Sequence, residues 1–270
     1  MKYKLIVSDL DGTALNSRRA VSPRTVKAID DYRKAGGTFI LSTGRMYESV
    51  IQVVDSFGLG ELNVPICAMD GGIIRESKTG KIIELNTLPY EKAAAFAAEC
   101  ERRGSYFQVY SVDKLYVAEE NEINREYCAH TKVKMNVVGC LSKYISDNKL
   151  QCVKVLVASK TADAELEYFK DRIEGVQFFL SDVEYLDGAS VKAGKGNALR
   201  TVAKHYGISL DNTIAIGDSM NDVSMVSIAG LGVAMGNADE RLKRVAKMIA
   251  PSCDEDGLAV IIEKAIRDEL

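Results

Sequence analysis

The chain has 270 residues, with 35 basic and 38 acidic side chains and a formal net charge of −3. Hydrophobic residues make up 47% of the sequence and charged residues 27%, which is typical of a globular protein and too apolar for a disordered one. This length can form one large domain or two smaller ones. A pI near 5.6, without a Lys/Arg tract, argues against a nucleic-acid partner or an anionic membrane surface.

The pattern of apolar residues and cysteines also argues against a membrane protein or an exported one. The longest apolar runs, such as 153–158, have the length of strands, so we expect no segment to span a bilayer. Acidic residues at Asp9 and Asp11 come too early for a signal peptide. The six cysteines form no C-x-x-C pair, and we interpret them as free thiols of a reducing cytosol. We therefore expect a cytoplasmic protein, either a monomer or a homodimer.

The beginning of the chain alternates between predicted strands and helices. The strands are predicted at 4–8, 38–42 and 66–69. Between the first two, Ser22 caps a helix that begins at Pro23 and ends at Gly36. A second helix, at about 47–57, precedes the third strand. Strands and helices in this order indicate parallel pairing with right-handed crossovers.

The middle of the chain has a different pattern. An alanine-rich helix is predicted at 91–103, followed by a hairpin of two strands at 106–111 and 114–119. Further strands at 153–158 and 176–180 flank a helix at 162–173. Hairpins combined with helices indicate an α+β module with an antiparallel sheet.

The last third returns to the alternating pattern. Helices and strands are predicted in turn at 196–206, 213–216, 221–228, 231–234, 239–246 and 258–267. We therefore predict an α/β fold, with a Rossmann-like, three-layer, parallel-sheet core formed by 1–83 and 185–270. An α+β cap domain at 84–184 is expected to be inserted into this core.

Polar residues cluster at three predicted strand-to-loop junctions. In chain order the junctions read Asp9-Leu10-Asp11-Gly12-Thr13, Ser42-Thr43-Gly44-Arg45 and Gly217-Asp218-Ser219-Met220-Asn221-Asp222. Because residues two apart on a strand face the same side, the carboxylates of Asp9 and Asp11 can project into one site. Ligands of open parallel sheets bind beyond the carboxyl ends of the strands, where these junctions are expected to meet.

A lysine and a hydroxyl-bearing loop complete the predicted site. Lys195 lies between two glycines, and Thr43 precedes a predicted helix start whose free N–H groups suit a phosphate. Carboxylates alone would repel a phosphate dianion, whereas Mg²⁺ takes carboxylate ligands and leaves room for substrate oxygens. These residues therefore predict metal-assisted phosphoryl transfer.

Each of these segments also has a simpler interpretation when it is taken alone. The residues around Asp9 fit an ordinary acidic turn, Thr43 fits a helix cap, and Asp218 fits a solvated helix start. An EF-hand is excluded because its closing Glu is missing, and a P-loop is excluded because Gly196 stands where Ser or Thr is needed.

With Lys195-Gly196 as the third, the four motifs resemble the ordered motifs of the haloacid dehalogenase superfamily. The insertion between the second and third motifs resembles the type IIB branch, the Cof-like phosphatases. Gly236-Asn237-Ala238 and Asp256-Gly257 also match that branch, so the resemblance covers the whole chain. It implies a Mg²⁺-dependent phosphomonoesterase that hydrolyses a small phosphorylated metabolite, such as a sugar phosphate, through an aspartyl-phosphate. The inserted module is expected to supply substrate specificity.

The resemblance also implies a role for each site residue. Asp9 is expected to be the nucleophile, and Asp11 the general acid and then the general base. The residues expected to hold Mg²⁺ are Asp9, Asp11 through its backbone carbonyl, Asp218 and, in support, Asp222. Those expected to contact substrate phosphate are Leu10, Thr43, Gly44, Lys195 and Asn221.

Some residues depart from the family pattern, and other functions remain open. Asp70 stands where Asn is common, Gly194 where Ser is frequent and Lys192 where Gly is common, which bears on substrate contacts. A phosphomutase is an alternative, and it would form hexose phosphate isomers instead of phosphate. A non-catalytic ligand-binding protein is less favoured because Asp9 and Asp11 are both present. A dehalogenase would have no use for Asp11 or a metal.

Overall fold

The computed structural model describes residues 1–60 and 64–270, and these residues form two β-sheets. The strands of the larger sheet are β1 (Leu5–Ser8), β2 (Thr38–Ser42), β3 (Pro65–Ala68), β4 (Ile73–Glu76), β5 (Ile82–Leu85), β12 (Thr213–Gly217), β13 (Leu231–Ala234) and β14 (Met248–Ile249). Those of the smaller sheet are β6 (Tyr106–Tyr110), β7 (Leu115–Val117), β8 (Met135–Val137), β9 (Lys154–Ala158), β10 (Val176–Asp182) and β11 (Tyr185–Ser190).

Helices pack against both sheets. They are α1 (Pro23–Lys34), α2 (Tyr47–Val54), α3 (Tyr90–Arg103), α4 (Glu122–Thr131), α5 (Leu141–Asn148), α6 (Ala162–Phe169), α7 (Lys195–His205), α8 (Val223–Ile228), α9 (Glu240–Lys243) and α10 (Gly257–Ile266). In the described ranges, no helix combines the length and the apolar composition needed to cross a membrane.

The larger sheet has the strand order β14-β13-β12-β1-β2-β3-β4-β5. Neighbouring strands from β14 to β3 are parallel, and β4 and β5 extend the sheet in antiparallel pairing. Helix α1 packs against α10, and α7 packs against α8, so that helices cover both faces. The α/β fold with a Rossmann-like core is therefore confirmed. The two antiparallel strands at its edge are an addition to the prediction.

Helix α1 illustrates how the sequence determines a local structure. The Ser22 hydroxyl oxygen accepts a hydrogen bond from the Thr25 N–H at 3.0 Å, and Pro23 occupies the first turn. The buried residues Ile29 and Tyr32 lie on the face toward the sheet, and the Tyr32 hydroxyl donates to the Tyr3 carbonyl at 3.1 Å. Both the cap and the apolar face of this helix can be predicted from the sequence.

The smaller sheet has the order β10-β11-β9-β6-β7-β8. Its predicted hairpin is present as β6 and β7, which pair antiparallel. Strand β8 adds to β7 in parallel, so this sheet is mixed. Helices α4 and α5 were not predicted; α4 begins at a capping box in which Asn121 and Asn124 bond each other's backbone N–H groups.

Strand β11 affects where the inserted module ends. It pairs with β10 on one side and with β9 on the other, so residues 185–190 belong to the smaller sheet. The predicted boundary at 184 would separate this strand from its hydrogen-bonded neighbours. The division into two domains stays a proposal, and we propose its second boundary after Ser190.

Candidate active site

Three strands of the larger sheet end at the same place. Asp9 follows β1, Thr43 follows β2, and Asp218 follows β12. Strand β1 lies between β12 and β2, so the chain connects to opposite sides of it. In open α/β sheets, such a topological switch point forms the crevice in which ligands bind. The fold therefore brings the three predicted junctions together.

Lys195 connects two of the carboxylates in this crevice. Its ammonium lies 2.5 Å from Asp9 Oδ1 and 2.6 Å from Asp222 Oδ1, and its side chain is fully buried. Burial acts to lower the pKa of Lys195, but the carboxylates of Asp222 and Asp9 outweigh burial and raise it. Lys195 therefore stays cationic next to the predicted nucleophile.

Asp222 organises the loop after β12. Its Oδ2 accepts hydrogen bonds from the N–H groups of Asp218 and Ser219, both at 2.9 Å, while its Oδ1 accepts from Lys195. A side chain at Gly217 would place its Cβ 2.3 Å from the Asp222 carboxyl group, so this close approach requires glycine. Both oxygens of Asp222 have protein partners, which fits a supporting role better than direct metal ligation.

Asp218 is held by the loop after β1. Its Oδ1 accepts a hydrogen bond from the Thr13 hydroxyl at 2.9 Å. Gly12 has φ +70°, and a Cβ there would lie 2.4 Å from Asp218 Oδ2. Gly12 is therefore required both for the turn and for the approach of the two loops.

The acidic residues of the site fit a hard divalent cation. Asp9, Asp218 and Asp222 each offer a carboxylate oxygen, and these oxygens lie within 4.8 Å of one another. Burial, followed by the repulsion from Asp222, raises the pKa of Asp218 to about 6, and burial raises the pKa of Asp9 well above its usual value. These carboxylates carry more negative charge than Lys195 can neutralise, and hard oxygen ligands of this kind are those that Mg²⁺ prefers.

Asp11 lies apart from these three carboxylates. Its side chain is exposed and pairs with Arg45 in a bidentate arrangement, with Arg45 Nε 2.7 Å from Oδ2 and a terminal guanidinium nitrogen 2.5 Å from Oδ1. This geometry restrains the orientation of the carboxylate. The sequence analysis included Arg45 in a motif but gave it no role. Arginine three residues after the end of β2 was the available signal.

The predicted phosphate-binding residues occupy different positions in the crevice. Thr43 is buried, and its hydroxyl oxygen accepts from the Arg45 N–H at 3.1 Å. Gly44 comes close to Asp70, since a Cβ there would lie 3.1 Å from Asp70 Oδ2. Leu10 is fully buried in the core, so only its backbone is available to a ligand, and its carbonyl already accepts from the Leu15 N–H.

Asn221 contacts Asp70, which stands where the family commonly has Asn. The Asn221 amide donates to Asp70 Oδ1 at 2.8 Å. Asp70 Oδ2 lies 3.4 Å from the ammonium of Lys154, which also donates to Asp187 Oδ2 at 2.9 Å. Lys154 and Asp187 lie on strands of the smaller sheet, and the sequence analysis did not identify either of them. A lysine within the predicted apolar strand 153–158 was the signal for Lys154, whereas Asp187 lies in β11, which was not predicted.

A cavity of about 810 Å³ lies between the two sheets. Its lining includes Asp9, Asp11 and Thr43 from the larger sheet's loops and Tyr127, His130 and Lys160 from the smaller sheet's side. A second cavity of about 530 Å³ lies behind the site and is lined in part by Lys195, Asn221 and Arg200. The larger cavity joins the predicted catalytic carboxylates to side chains of the inserted module.

Comparison with known proteins identifies the family. The family model of haloacid dehalogenase-like hydrolases matches residues 6–262, and the chain belongs to this family. It is 28% identical to phosphatase YwpJ of Bacillus subtilis, over 95% of this chain and 97% of the relative. It is 30% identical to 5-amino-6-(5-phospho-D-ribitylamino)uracil phosphatase YwtE of the same organism, over 97% and 98%.

A solved structure shares the whole architecture. A haloacid dehalogenase-like hydrolase from Bacteroides thetaiotaomicron superimposes with a TM-score of 0.84 at 26% identity, covering 97% of this chain and 99% of that one. Together with the named phosphatases, this similarity establishes the chain as a hydrolase of the phosphatase type.

Proposed function

We propose that this phosphatase is a Mg²⁺-dependent phosphomonoesterase that acts on a small phosphorylated metabolite through an aspartyl-phosphate. The observation that carries the proposal is the contact of buried Lys195 with both Asp9 and Asp222 at the switch point of the sheet. A carboxylate held beside a buried cation, with further carboxylates nearby, suits phosphoryl transfer.

Asp9 is proposed as the nucleophile. One carboxylate oxygen of Asp9 attacks the phosphorus, the bond from phosphorus to the alcohol oxygen breaks, and the phosphoryl group remains on Asp9. Lys195 supports this step because its positive charge favours the ionised form of Asp9. The same charge can stabilise the negative charge that develops on the phosphoryl oxygens.

Asp11 is proposed to move the proton in both steps. It first donates a proton to the departing alcohol oxygen, and it then accepts a proton from the water that attacks the phosphorus of the aspartyl-phosphate. Its exposed position at the cavity gives it access to substrate and water. In this arrangement Arg45 keeps its hydrogen bond to one oxygen of Asp11 and orients the carboxyl group, while the other oxygen carries the proton.

The metal proposal follows from the acidic residues. Asp9 and Asp218 would hold Mg²⁺ directly, together with the backbone carbonyl of Asp11, while Asp222 fixes the loop of Asp218. When bound, the ion would supply positive charge that offsets the repulsion between these carboxylates and a phosphate. Thr43, Gly44, Asn221 and the backbone N–H of Leu10 are proposed to bind phosphoryl oxygens.

The substrate is proposed to be small. The cavity of about 810 Å³ lies within the range of small-molecule sites and is closed on one side by the inserted module. The relative YwtE is named as a phosphatase of a phosphoribityl compound, a phosphate ester of a polyol chain, which makes sugar and polyol phosphates the first compounds to test.

The test is phosphate release from a panel of sugar phosphates, polyol phosphates and pyridoxal phosphate, with Mg²⁺ or with EDTA. The Asp9→Asn variant, shown to be folded by circular dichroism, serves as the control. Release that requires the metal and is lost in the variant would support the proposal. Isomer formation without net release of phosphate would overturn it in favour of a phosphomutase.

A further inference from the structure

Lys154 connects the inserted module to two loops of the larger sheet, those that contain Gly44 and Asp70. It begins β9 of the smaller sheet and is 3% exposed. Its ammonium lies 2.9 Å from Asp187 Oδ2 in the same sheet, and 3.4 Å from Asp70 Oδ2 and 3.3 Å from the Gly44 carbonyl oxygen in loops of the larger sheet. A buried charge needs partners of this kind, and here they belong to both sheets.

Asp70 is held rigidly between two loops of the site. Its N–H donates to the Thr43 carbonyl at 3.0 Å, and its own carbonyl accepts from the Gly194 N–H at 2.6 Å. Asp70 has φ +53° and follows Met69 at φ +48°, so two consecutive residues with side chains adopt left-handed backbone conformations. Such conformations carry strain and occur where the surrounding structure enforces them.

The Asp70 carboxylate determines the orientation of the Asn221 amide. A carboxylate can only accept hydrogen bonds, so the NH₂ group of Asn221 must face Asp70 Oδ1. The Asn221 carbonyl oxygen then points the other way, and it is buried without a hydrogen-bond partner in the described part of the chain. The NH₂ group has a second N–H that can donate to a phosphoryl oxygen, whereas the carbonyl oxygen can only accept, so turning the amide over would replace this donor with an acceptor.

We propose that Lys154 and Asp70 are positioning residues for the phosphate site: Lys154 holds the Asp70 carboxylate, and Asp70 fixes the Asn221 amide in one orientation. The inserted module thereby contributes to the binding of the phosphoryl group itself, and the arrangement is complete only when the module is docked on the core. This inference rests on the proposed role of Asn221 in phosphate binding.

Substitutions at the two positions have opposite consequences for Asn221. In Asp70→Asn, the ammonium of Lys154 requires the oxygen of the introduced amide, so the NH₂ group of that amide faces Asn221 and turns the Asn221 amide over. In the double variant Lys154→Met/Asp70→Asn, the ammonium is gone. The introduced amide can then present its oxygen to Asn221, and the original orientation returns.

The experiment measures kcat and KM with p-nitrophenyl phosphate and with one sugar phosphate, together with the affinity for inorganic phosphate by isothermal titration calorimetry. For Asp70→Asn we expect phosphate affinity and kcat/KM to fall by about 10- to 100-fold, the range for losing a hydrogen bond to a charged ligand. The factor should be the same for both substrates, and the double variant should recover part of the loss.

The matched control is Lys143→Met, which removes a lysine of the same module whose ammonium pairs with Asp147 on an exposed helix face. This variant should leave the phosphate affinity and kcat/KM unchanged. If Lys154→Met variants do not fold, Asp70→Asn is combined with Asn221→Ala instead. If Asp70 acts through Asn221, it should have no further effect in that background.

Additive losses in the double variant, or a loss confined to one substrate, would overturn the inference. Should the wild-type protein hydrolyse neither substrate, the proposed function would fail separately. The calorimetric comparison of phosphate affinities would then still decide between a positioning role and none.

Discussion

Lys195 and Asp222 form an ion pair in which both side chains are fully buried, with 2.6 Å between Nζ and Oδ1. Asp222 uses its second oxygen to hold the N–H groups of the loop that carries Asp218. A single carboxylate thus links the cation beside the predicted nucleophile to the loop of the predicted metal ligand. The geometry of the site depends on this pair.

Removal of Lys195 is therefore expected to affect both folding and activity. In Lys195→Met the buried carboxylates of Asp9 and Asp222 lose their cation, which is expected to cost about 3–5 kcal/mol of unfolding free energy. Urea denaturation measures this loss, and phosphate release is expected to become undetectable. Lys204→Met, an exposed lysine of the same helix, should change neither quantity. A stable, active Lys195→Met protein would contradict the structural role given to this pair.

The contact between Gly12 and Asp218 predicts a steric effect on the metal site. In Gly12→Ala the new methyl group would lie 2.4 Å from Asp218 Oδ2, so the loop must shift and the affinity for Mg²⁺ should fall. Gly36→Ala is a matched control, because Gly36 also has a positive φ of +87° but meets no atom within 4 Å.

Both glycine variants should lose about 1 kcal/mol of stability from backbone strain. Only the first should weaken activation by Mg²⁺, measured as the metal concentration for half-maximal activity. Equal activation curves would show that the approach of Gly12 to Asp218 is unimportant.

The Arg45–Asp11 pair predicts a cost in catalysis with little cost in stability. Arg45→Gln removes the bidentate restraint on the proposed acid, and we expect kcat/KM to fall by about tenfold, the upper part of the range for a partly exposed hydrogen-bonded pair. Arg24→Gln breaks a bidentate pair with Glu263 between helices α1 and α10; neither residue lines the cavity, so this variant should leave kcat/KM unchanged. Equal kinetics for the two variants would exclude a role for Arg45.

Binding of the metal can be measured without turnover. At a Mg²⁺ concentration 100 times its dissociation constant, binding to the folded state alone should stabilise the protein by about 2.7 kcal/mol, which raises the melting temperature. Asp218→Asn should remove most of this shift, because it takes away one of the proposed direct ligands. A shift of the same size in the variant would place the ion elsewhere.

The sequence was sufficient for the parts of the site that follow strands directly. Asp9, Thr43 and Asp218 each come immediately after a short apolar run, and parallel strands bring such positions to one edge. The contacts of Lys154 could not be predicted, because it meets Asp70 across 84 residues and from a different sheet. The pairing of Asp11 with Arg45 also depends on loop conformations that no local pattern determines.

In the fold, too, features set by the local sequence were predicted and features set by long-range pairing were not. Helix α1 was predicted from its cap and its apolar face, whereas strands β4 and β5 were missed because each has a charged residue after only two apolar ones, and β5 lies at the exposed edge of the sheet. The end that we propose for the inserted module differs from the predicted one for a related reason. Strand β11 is assigned by its partners β9 and β10, and pairing between strands is a long-range property.

The central claim is that Asp9 becomes phosphorylated. The most direct measurement uses Asp11→Asn with p-nitrophenyl phosphate and Mg²⁺, followed by acid quenching, proteolysis and mass spectrometry. This substrate has a good leaving group that needs no acid, so the first step should proceed, while the second step lacks its base and the intermediate should accumulate. We predict a burst of p-nitrophenolate stoichiometric with the enzyme and one phosphoryl group on the peptide that contains Asp9. A burst without this label, or a label on another residue, would contradict the mechanism.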